Sequence, residues 1–409
     1  MSHAHGWGEL RRGWPALLGG VIGMGAGLSM FGLTAGFFVK PLQAEFGWGR
    51  GLIAMSSGAI LLTALTMPFV GILVDRFGAR LFVGLGMLTF AGCYLGLATM
   101  PGAPWAYLTI MVVIGLVAGP ATAPLVYVRA VVEAFDRLRG LALALAMSGA
   151  ALASVVLLPN LQAVIAGQGW RAGYLFMIPT TLVLGALSFA LLTLAARRRR
   201  AAHAAAGGVA AALPGATFKE ARIDPRFWLM AVAMVAANMA GGAFSSQLQP
   251  LLSDRGVPGP TAALLGSLYA ALVLIGRLTV GHLLDRFWAP AVGAIALAAP
   301  ILGLLAFLPA DGALWLMIGG IALIAVAQGA EGDILAYFTS RFWGLKAFGA
   351  IFGVLGLVLG VSVAVGGMLG GFLFDRMGDY RVVLIGGSLL SVVATAAILA
   401  TGFVRREAA

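Results

Sequence analysis

Three charged side chains stand where an apolar chain should not tolerate them. Arg277 interrupts ALVLIGRLTVGHLLDRF, and Glu331 and Asp333 interrupt IALIAVAQGAEGDILAYF. A guanidinium is permanently charged and offers a planar fork that meets a carboxylate with two parallel hydrogen bonds, where a lysine would supply only a point charge. A carboxyl group in such surroundings pairs with a cation or takes up a proton, because burial penalises the ion. The chemistry available is therefore recognition of an organic anion by Arg277 and proton exchange or ion pairing by Asp333 or Glu331. A structural salt bridge between Arg277 and Asp333 is the competing reading.

Weaker candidates surround these three. Arg129 and Glu133 stand four residues apart, a spacing that makes an intrahelical ion pair the default. Lys40 falls near the outer end of its stretch and reads as a solvated charge. Tyr127, Asn238, Gln247, Ser267, Tyr269, Gln328 and Tyr337 are neutral polar groups in apolar stretches. Tyr127, Gln247 and Tyr337 are the candidate substrate-binding groups among them, although such side chains also bridge helices at about 0.6 kcal/mol each.

The elements that position these residues follow from composition. Of 409 residues, 61% are hydrophobic and 10% charged, whereas a soluble domain carries about 25% charged residues. A soluble protein is excluded. Cutting at charged and Pro/Gly clusters leaves apolar runs near 14–39, 52–73, 81–100, 104–134, 140–165, 172–195, 227–252, 261–284, 289–309, 313–338, 347–374 and 382–404. About 20 residues suffice to cross the hydrocarbon core as a helix, and alternating segments of about 10 residues, the mark of a membrane β-barrel, are missing. The expected fold is an all-α membrane protein of 12 transmembrane helices in two pseudo-symmetric six-helix bundles, 1–195 and 227–409, joined by a cytoplasmic linker at 196–226.

Charge placement orients it. With both termini cytoplasmic, Arg11, Arg12, Arg76, Arg80, Arg137, Arg139, Arg197 to Arg200, Lys219, Arg222, Arg226, Arg286, Arg341, Lys346, Arg405 and Arg406 lie inside, 18 against 6 outside (Lys40, Arg50, Arg171, Arg255, Arg376, Arg381), as the positive-inside rule requires. The first apolar run is too long for a signal-peptide core and is expected to be retained. The nine tryptophans fall at span edges or in loops, where an indole prefers the headgroup level. The net charge of +11 therefore answers to the membrane and not to nucleic acid, and the Arg197–Arg200 run reads as a stop-transfer anchor on anionic headgroups. The one cysteine, Cys93, excludes an intrachain disulfide. No metal spacing and no nucleotide-binding glycine loop appear, so no cofactor is expected.

GILVDRFGAR at 71–80 and GHLLDRFWAP at 281–290 share six of ten residues, each after the second span of its half. The segment Gly71-x-x-x-Asp75-Arg76-x-Gly78-x-Arg80 resembles the loop 2–3 signature of the major facilitator superfamily, with Gly281, Asp285 and Arg286 as its degenerate second copy. The resemblance implies a gating motif whose cytoplasmic ion pairs hold one state closed. FDRLRGLALALAMSG at 135–149 is similar to the fifth-span signature of monocarboxylate porters, matching at Phe135, Arg137, Arg139, Leu141, Ala142, Ala146 and Gly149 and departing at Leu138, Ala144 and Ser148. QLQPLLSDRG, GRLTVGHLLDRF and GAEGDILAYFTSRFWG resemble bacterial monocarboxylate porters and oxalate:formate antiporters. Arg12-Gly13-Trp14 echoes part of the first monocarboxylate-porter signature.

That resemblance implies that Arg277 binds substrate and that an aspartate commonly precedes it by one turn. Here that position is Val273, which moves attention to Glu331 and Asp333. Arg277 lies about 12 Å deeper than Asp285 at about 1.5 Å per residue, and Asp333 lies equally far from Arg341 on a span running the same way, so the two should meet. Two residues apart on a helix, Glu331 and Asp333 point about 200° apart. Gln247 stands where relatives often carry histidine.

The expected function is secondary active transport of small organic anions, a monocarboxylate moved with a proton by alternating access, in the inner membrane. No enzymatic constellation is found. The expected partners are a small carboxylate, protons and the lipid bilayer, and the functional unit is expected to be a monomer. An exchanger of the oxalate:formate type would call for a second buried cation, which 347–374 lacks. A drug or metabolite efflux antiporter would call for the fifth-span G-x-x-x-G-P motif, which is missing.

Overall fold

The computed structural model describes the backbone of residues 2–53, 55–205, 214–309 and 313–404. The middle of the expected linker, 206–213, and the basic residues Arg405 and Arg406 lie outside the described residues, as do the side chains of Trp7 and Arg50. Eleven helices are long and apolar enough to cross a membrane, and Ala289–Leu305 is a shorter apolar helix in the place of the ninth span. The only non-helical pairing among the described residues is a single bridge between Gly215 and Gly344. Helices are what hydrocarbon permits, since each closes its own backbone hydrogen bonds.

Contacts divide the chain into two compact units, 1–215 with 343–354, and 216–342 with 355–409. The sixth helix, Trp170–Ala205, runs past residue 195 through the four arginines, so the first part of the expected linker is helical. After 213 the linker forms a short helix, Phe218–Ile223, closed at its start by a reciprocal cap between Thr217 and Glu220. Asp224 then caps Pro225–Asp254, with Pro225 at the first helical position, where its missing N–H costs nothing.

The sequence repeat reappears as a packing repeat. In the first unit, Trp170–Ala205 packs on Ala79–Thr99 and on Ser2–Met24, and Met55–Phe77 packs on the middle of the fourth span. In the second, Arg381–Ala400 packs on Ala289–Leu305 and on Pro225–Asp254, and Gly259–Arg286 packs on Leu314–Phe342. The same pairs, third with sixth, first with sixth and second with fourth, recur in each unit.

Three spans of the first unit are interrupted where the sequence predicts continuous helix: the fifth at Ser148, and the first and fourth more widely. The first stops at Met24 and restarts at Leu28, and the fourth passes through a widened turn at Ile114–Ala118 before restarting at Pro124. The breaks in the first and fourth meet. The Leu28 N–H, stranded by the interruption, donates to Thr122 Oγ1 at 3.1 Å. A Cβ at Gly27 would fall 2.5 Å from Thr122 Cβ, so this glycine is what admits the threonine.

The tryptophans also divide. Trp105, Trp228, Trp288 and Trp315 are exposed, as a headgroup position requires, but Trp48, Trp170 and Trp343 are buried in protein. Trp170 Nε1 donates to Glu45 at 2.5 Å, and Arg171 pairs with the same carboxylate while lying over the Trp170 ring. These edge tryptophans fasten helix ends together. At the other unit's loops, Tyr380 donates to Asp254 at 3.1 Å, and burial together with that bond pushes its hydroxyl up to about 12.

Candidate functional site

The second unit's candidate site is built on two helices whose backbones touch. A Cβ at Gly276 would fall 2.5 Å from Val326 Cα, and one at Gly329 would fall 2.1 Å from the Val273 carbonyl oxygen. Small residues allow this approach between Gly259–Arg286 and Leu314–Phe342. The approach brings the Gly329 carbonyl within reach of Arg277, whose Nε donates to it at 3.1 Å. The same Nε stands 3.6 Å from Asp333 Oδ2, so the expected meeting of Arg277 and Asp333 is what the helices produce.

The pair is unequal in exposure. The Asp333 side chain is 0% exposed and Arg277 18%, so the acid is sealed and the guanidinium keeps an open edge. Neither Asp333 oxygen has a hydrogen-bond partner among the described residues. At 3.6 Å the contact is an ion pair without a well-formed hydrogen bond. Such a pair holds the cation in place, and the 18% of the arginine side chain left exposed is the edge an anion could approach.

Glu331 lies on the other side of the same helix, as the angular argument requires. It lines a cavity of about 10 Å³ with Ala237, Leu297, Pro300, Gln328 and Ser391, room for about one water. Tyr269 links that cavity to the eighth span by donating to Gln328 Oε1 at 2.9 Å.

The other predicted polar groups are placed separately. The Tyr337 hydroxyl donates to the Leu284 carbonyl at 2.8 Å and so braces the same two helices one step nearer the motif. Gln247 sits beside Gly371, its amide 3.4 Å from where a Cβ would be. Tyr127 belongs to the first unit, wholly buried, its hydroxyl without a hydrogen-bond partner among the described residues.

The motif residues of the first unit form a larger network than their spacing suggests. Gly78 takes φ 83°, which strains any side chain, so it permits the turn after the second span. Asp75 accepts from the Gly349 and Ala350 N–H groups at 2.9 and 3.0 Å, capping the start of Phe348–Met377. Gly71 makes room for this, since a Cβ there would fall 1.9 Å from the Gly349 carbonyl oxygen. Asp75 also pairs with Arg129, which bonds Glu133 at 3.2 Å, and Glu133 pairs with Arg199. The expected Arg129–Glu133 pair is therefore one link in a chain, and one arginine of the anchor run is drawn into it. Arg76 lies over the Phe77 ring, and Arg80 lines a broad cleft of about 1160 Å³ with Arg129 and Arg199. In the second copy, Gly281 is buried in its helix and Arg286 is exposed. Sequence reasoning missed Thr122 and the backbone partners Gly329, Gly349 and Ala350. Only the glycines beside them carried a signal.

Comparison with known proteins places this architecture. The family model described as Major Facilitator Superfamily matches residues 16–367. Monocarboxylate transporter 11 of Homo sapiens is 29% identical over 374 residues, spanning 82% of this chain and 72% of the relative. The uncharacterized MFS-type transporter YcxA of Bacillus subtilis (strain 168) is 23% identical, spanning 88% of each. Among solved structures, a bacterial homologue of the iron transporter ferroportin in an outward-facing state is similar with TM-score 0.77 at 14% identity, over 97% of this chain and all of that one. The fucose:proton symporter FucP of E. coli is similar with TM-score 0.68 at 15% identity, over 95% and 98%. These structural likenesses show a shared fold, and the protein is a multi-pass transporter and not an enzyme. With its family model covering most of its length, its apolar helices and one sequence motif recurring in both halves, the chain belongs to the Major Facilitator Superfamily.

Proposed function

We propose that the protein is a proton-coupled symporter of small monocarboxylates working by alternating access. The observation that carries this reading is the Arg277–Asp333 pair: a cation fixed by a sealed acid and a backbone carbonyl, with part of its fork exposed. A lone buried arginine would be costly in a membrane span. Its acid partner lowers that cost, and the exposed edge of the guanidinium suits one carboxylate. The likeness to monocarboxylate transporter 11 supports the same substrate class.

In this account Arg277 holds the substrate carboxylate, Gln247 of the same unit contributes a polar contact, and Tyr337 braces the helix pair. Glu331 and Asp333 supply the acidic chemistry that couples loading to a proton. Asp75, Arg76, Gly78 and Arg80, with Gly71, gate the first unit, and Gly281, Asp285 and Arg286 act at the matching turn of the second. Symport is favoured over dicarboxylate exchange because the apolar runs of the second half hold one cation, Arg277.

Uptake by the purified protein in proteoliposomes tests the reading, using radiolabelled lactate, pyruvate, formate and oxalate with and without an inward proton gradient. Accumulation of at least one monocarboxylate only when the gradient is present is the expected result. Failure of every carboxylate, or oxalate exchange indifferent to the gradient, would sink it.

A further inference from the structure

The two acids of the tenth span occupy opposite surroundings. Asp333 faces a cation. Glu331 is 5% exposed, and neither an ion pair nor a hydrogen bond reaches its carboxyl group among the described residues. The helices around it bring no charge. Pro225–Asp254 contributes Ala237, Ala240 and Gly241, Ala289–Leu305 contributes Leu297, Pro300 and Leu304, and Arg381–Ala400 contributes Ser391. From the eighth span, Tyr269 donates to Gln328, which shares the Glu331 cavity on the same helix. Arg277 is engaged on the other face with Asp333 and the Gly329 carbonyl.

A carboxylate ion in that pocket would be an uncompensated charge in a low-dielectric interior, which proteins avoid by neutralising the group. The acid form needs a single small partner, and the cavity of about 10 Å³ has room for about one water. Gln328 and Ser391 contribute the neutral polar side chains of the same wall. The pocket therefore offers an acceptor but no cation.

We propose that Glu331, in its pocket among the seventh, ninth, tenth and twelfth spans, is the proton-carrying group of the transport cycle, while Asp333 is the fixed counter-ion of Arg277. This rests on the carboxylate-symport reading and divides its acidic chemistry between two faces of one helix. The step is a proton transfer alone: the O–H bond of the Glu331 carboxylic acid breaks, and the proton passes to a water admitted when the tenth span shifts. The resulting carboxylate is tolerable only while that water stays. The Tyr269–Gln328 hydrogen bond joins the pocket to the side of the eighth span that carries Val273 and Arg277. Gly241 gives Gln328 its room, since a Cβ there would fall 2.7 Å from Oε1. An anion arriving at Arg277 thus has a short connected path by which to disturb the Glu331 pocket.

The test uses the full chain as wild type, Glu331→Gln and Asp333→Asn. In proteoliposomes, radiolabelled lactate, pyruvate and formate are followed by counterflow at equal pH and by accumulation under a pH gradient. Glu331→Gln should keep counterflow within about twofold while its gradient-driven accumulation falls at least about tenfold, a difference of about 1.4 kcal/mol in driving force captured. In detergent, the infrared band of a protonated carboxylic acid should be present in wild type and in Asp333→Asn and absent in Glu331→Gln. Wild-type accumulation by Glu331→Gln, or persistence of the infrared band in that variant, would overturn the assignment. If Glu331→Gln transports nothing in either mode, the infrared comparison decides. If wild type itself moves none of the carboxylates, the symport reading fails while the infrared arm still decides whether Glu331 holds a proton.

Discussion

Arg277 serves two partners, and this sets what its replacement should do. Its charge neutralises the sealed Asp333 while its Nε bonds the Gly329 carbonyl, and its exposed edge is the proposed contact for the substrate carboxylate. Removing one member of a buried pair strands the other, at about 3–5 kcal/mol. Arg277→Ala should therefore lower thermal stability in detergent strongly, and adding Asp333→Asn should restore most of the loss. Arg277→Lys keeps the charge and loses the fork, so it should remain nearly as stable as wild type while its KM for the transported anion rises about tenfold, worth about 1.4 kcal/mol. Equal stability of Arg277→Ala and wild type would show that the pair is not held as described. At this scale the sequence was informative, because equal depth on two helices running the same way brings Arg277 and Asp333 together. The carbonyl of Gly329 was not legible, since a backbone acceptor leaves no trace in residue type.

Among the elements, the eighth and tenth helices depend on contact through glycine. A methyl group at 329 would fall 2.1 Å from the Val273 carbonyl oxygen, whereas at Gly319, in the same helix, nothing lies within 4 Å. Gly329→Ala should cost about 1–3 kcal/mol by forcing the helices apart, and Gly319→Ala should be neutral or gain up to about 1 kcal/mol from helix propensity. Thermal unfolding of the two variants reads the contrast, and equal effects would contradict the packing. Twelve helices could be counted from apolar runs, yet the breaks at Met24–Leu28 and Ile114–Ala118 could not, because hydropathy is blind to continuity. Gly25 and Gly27 were the available sign, and it becomes specific only when Thr122 is seen against them. The capped linker helix, by contrast, is written in the Thr217-x-x-Glu220 spacing.

Over the whole molecule, the two units carry the same packing and different chemistry. The first has the complete motif, extended by Asp75, Arg129, Glu133 and Arg199 into a network that also caps the helix starting at Phe348. The second has an abbreviated motif and the out-of-place charges Arg277, Glu331 and Asp333. The repeat at 71–80 and 281–290 revealed the shared plan. The network stayed hidden because Asp75 meets residues 54 and 274 positions away, and no spacing rule reaches that far. The central claim is that a substrate carboxylate is held by the Arg277 guanidinium. Equilibrium binding tests it most directly, titrating the transported monocarboxylate and its uncharged amide into wild type and into the Arg277→Gln, Asp333→Asn double variant, which removes the guanidinium without stranding the acid. The account predicts that the carboxylate binds wild type alone and that the amide binds neither. Carboxylate affinity unchanged in the double variant would contradict it.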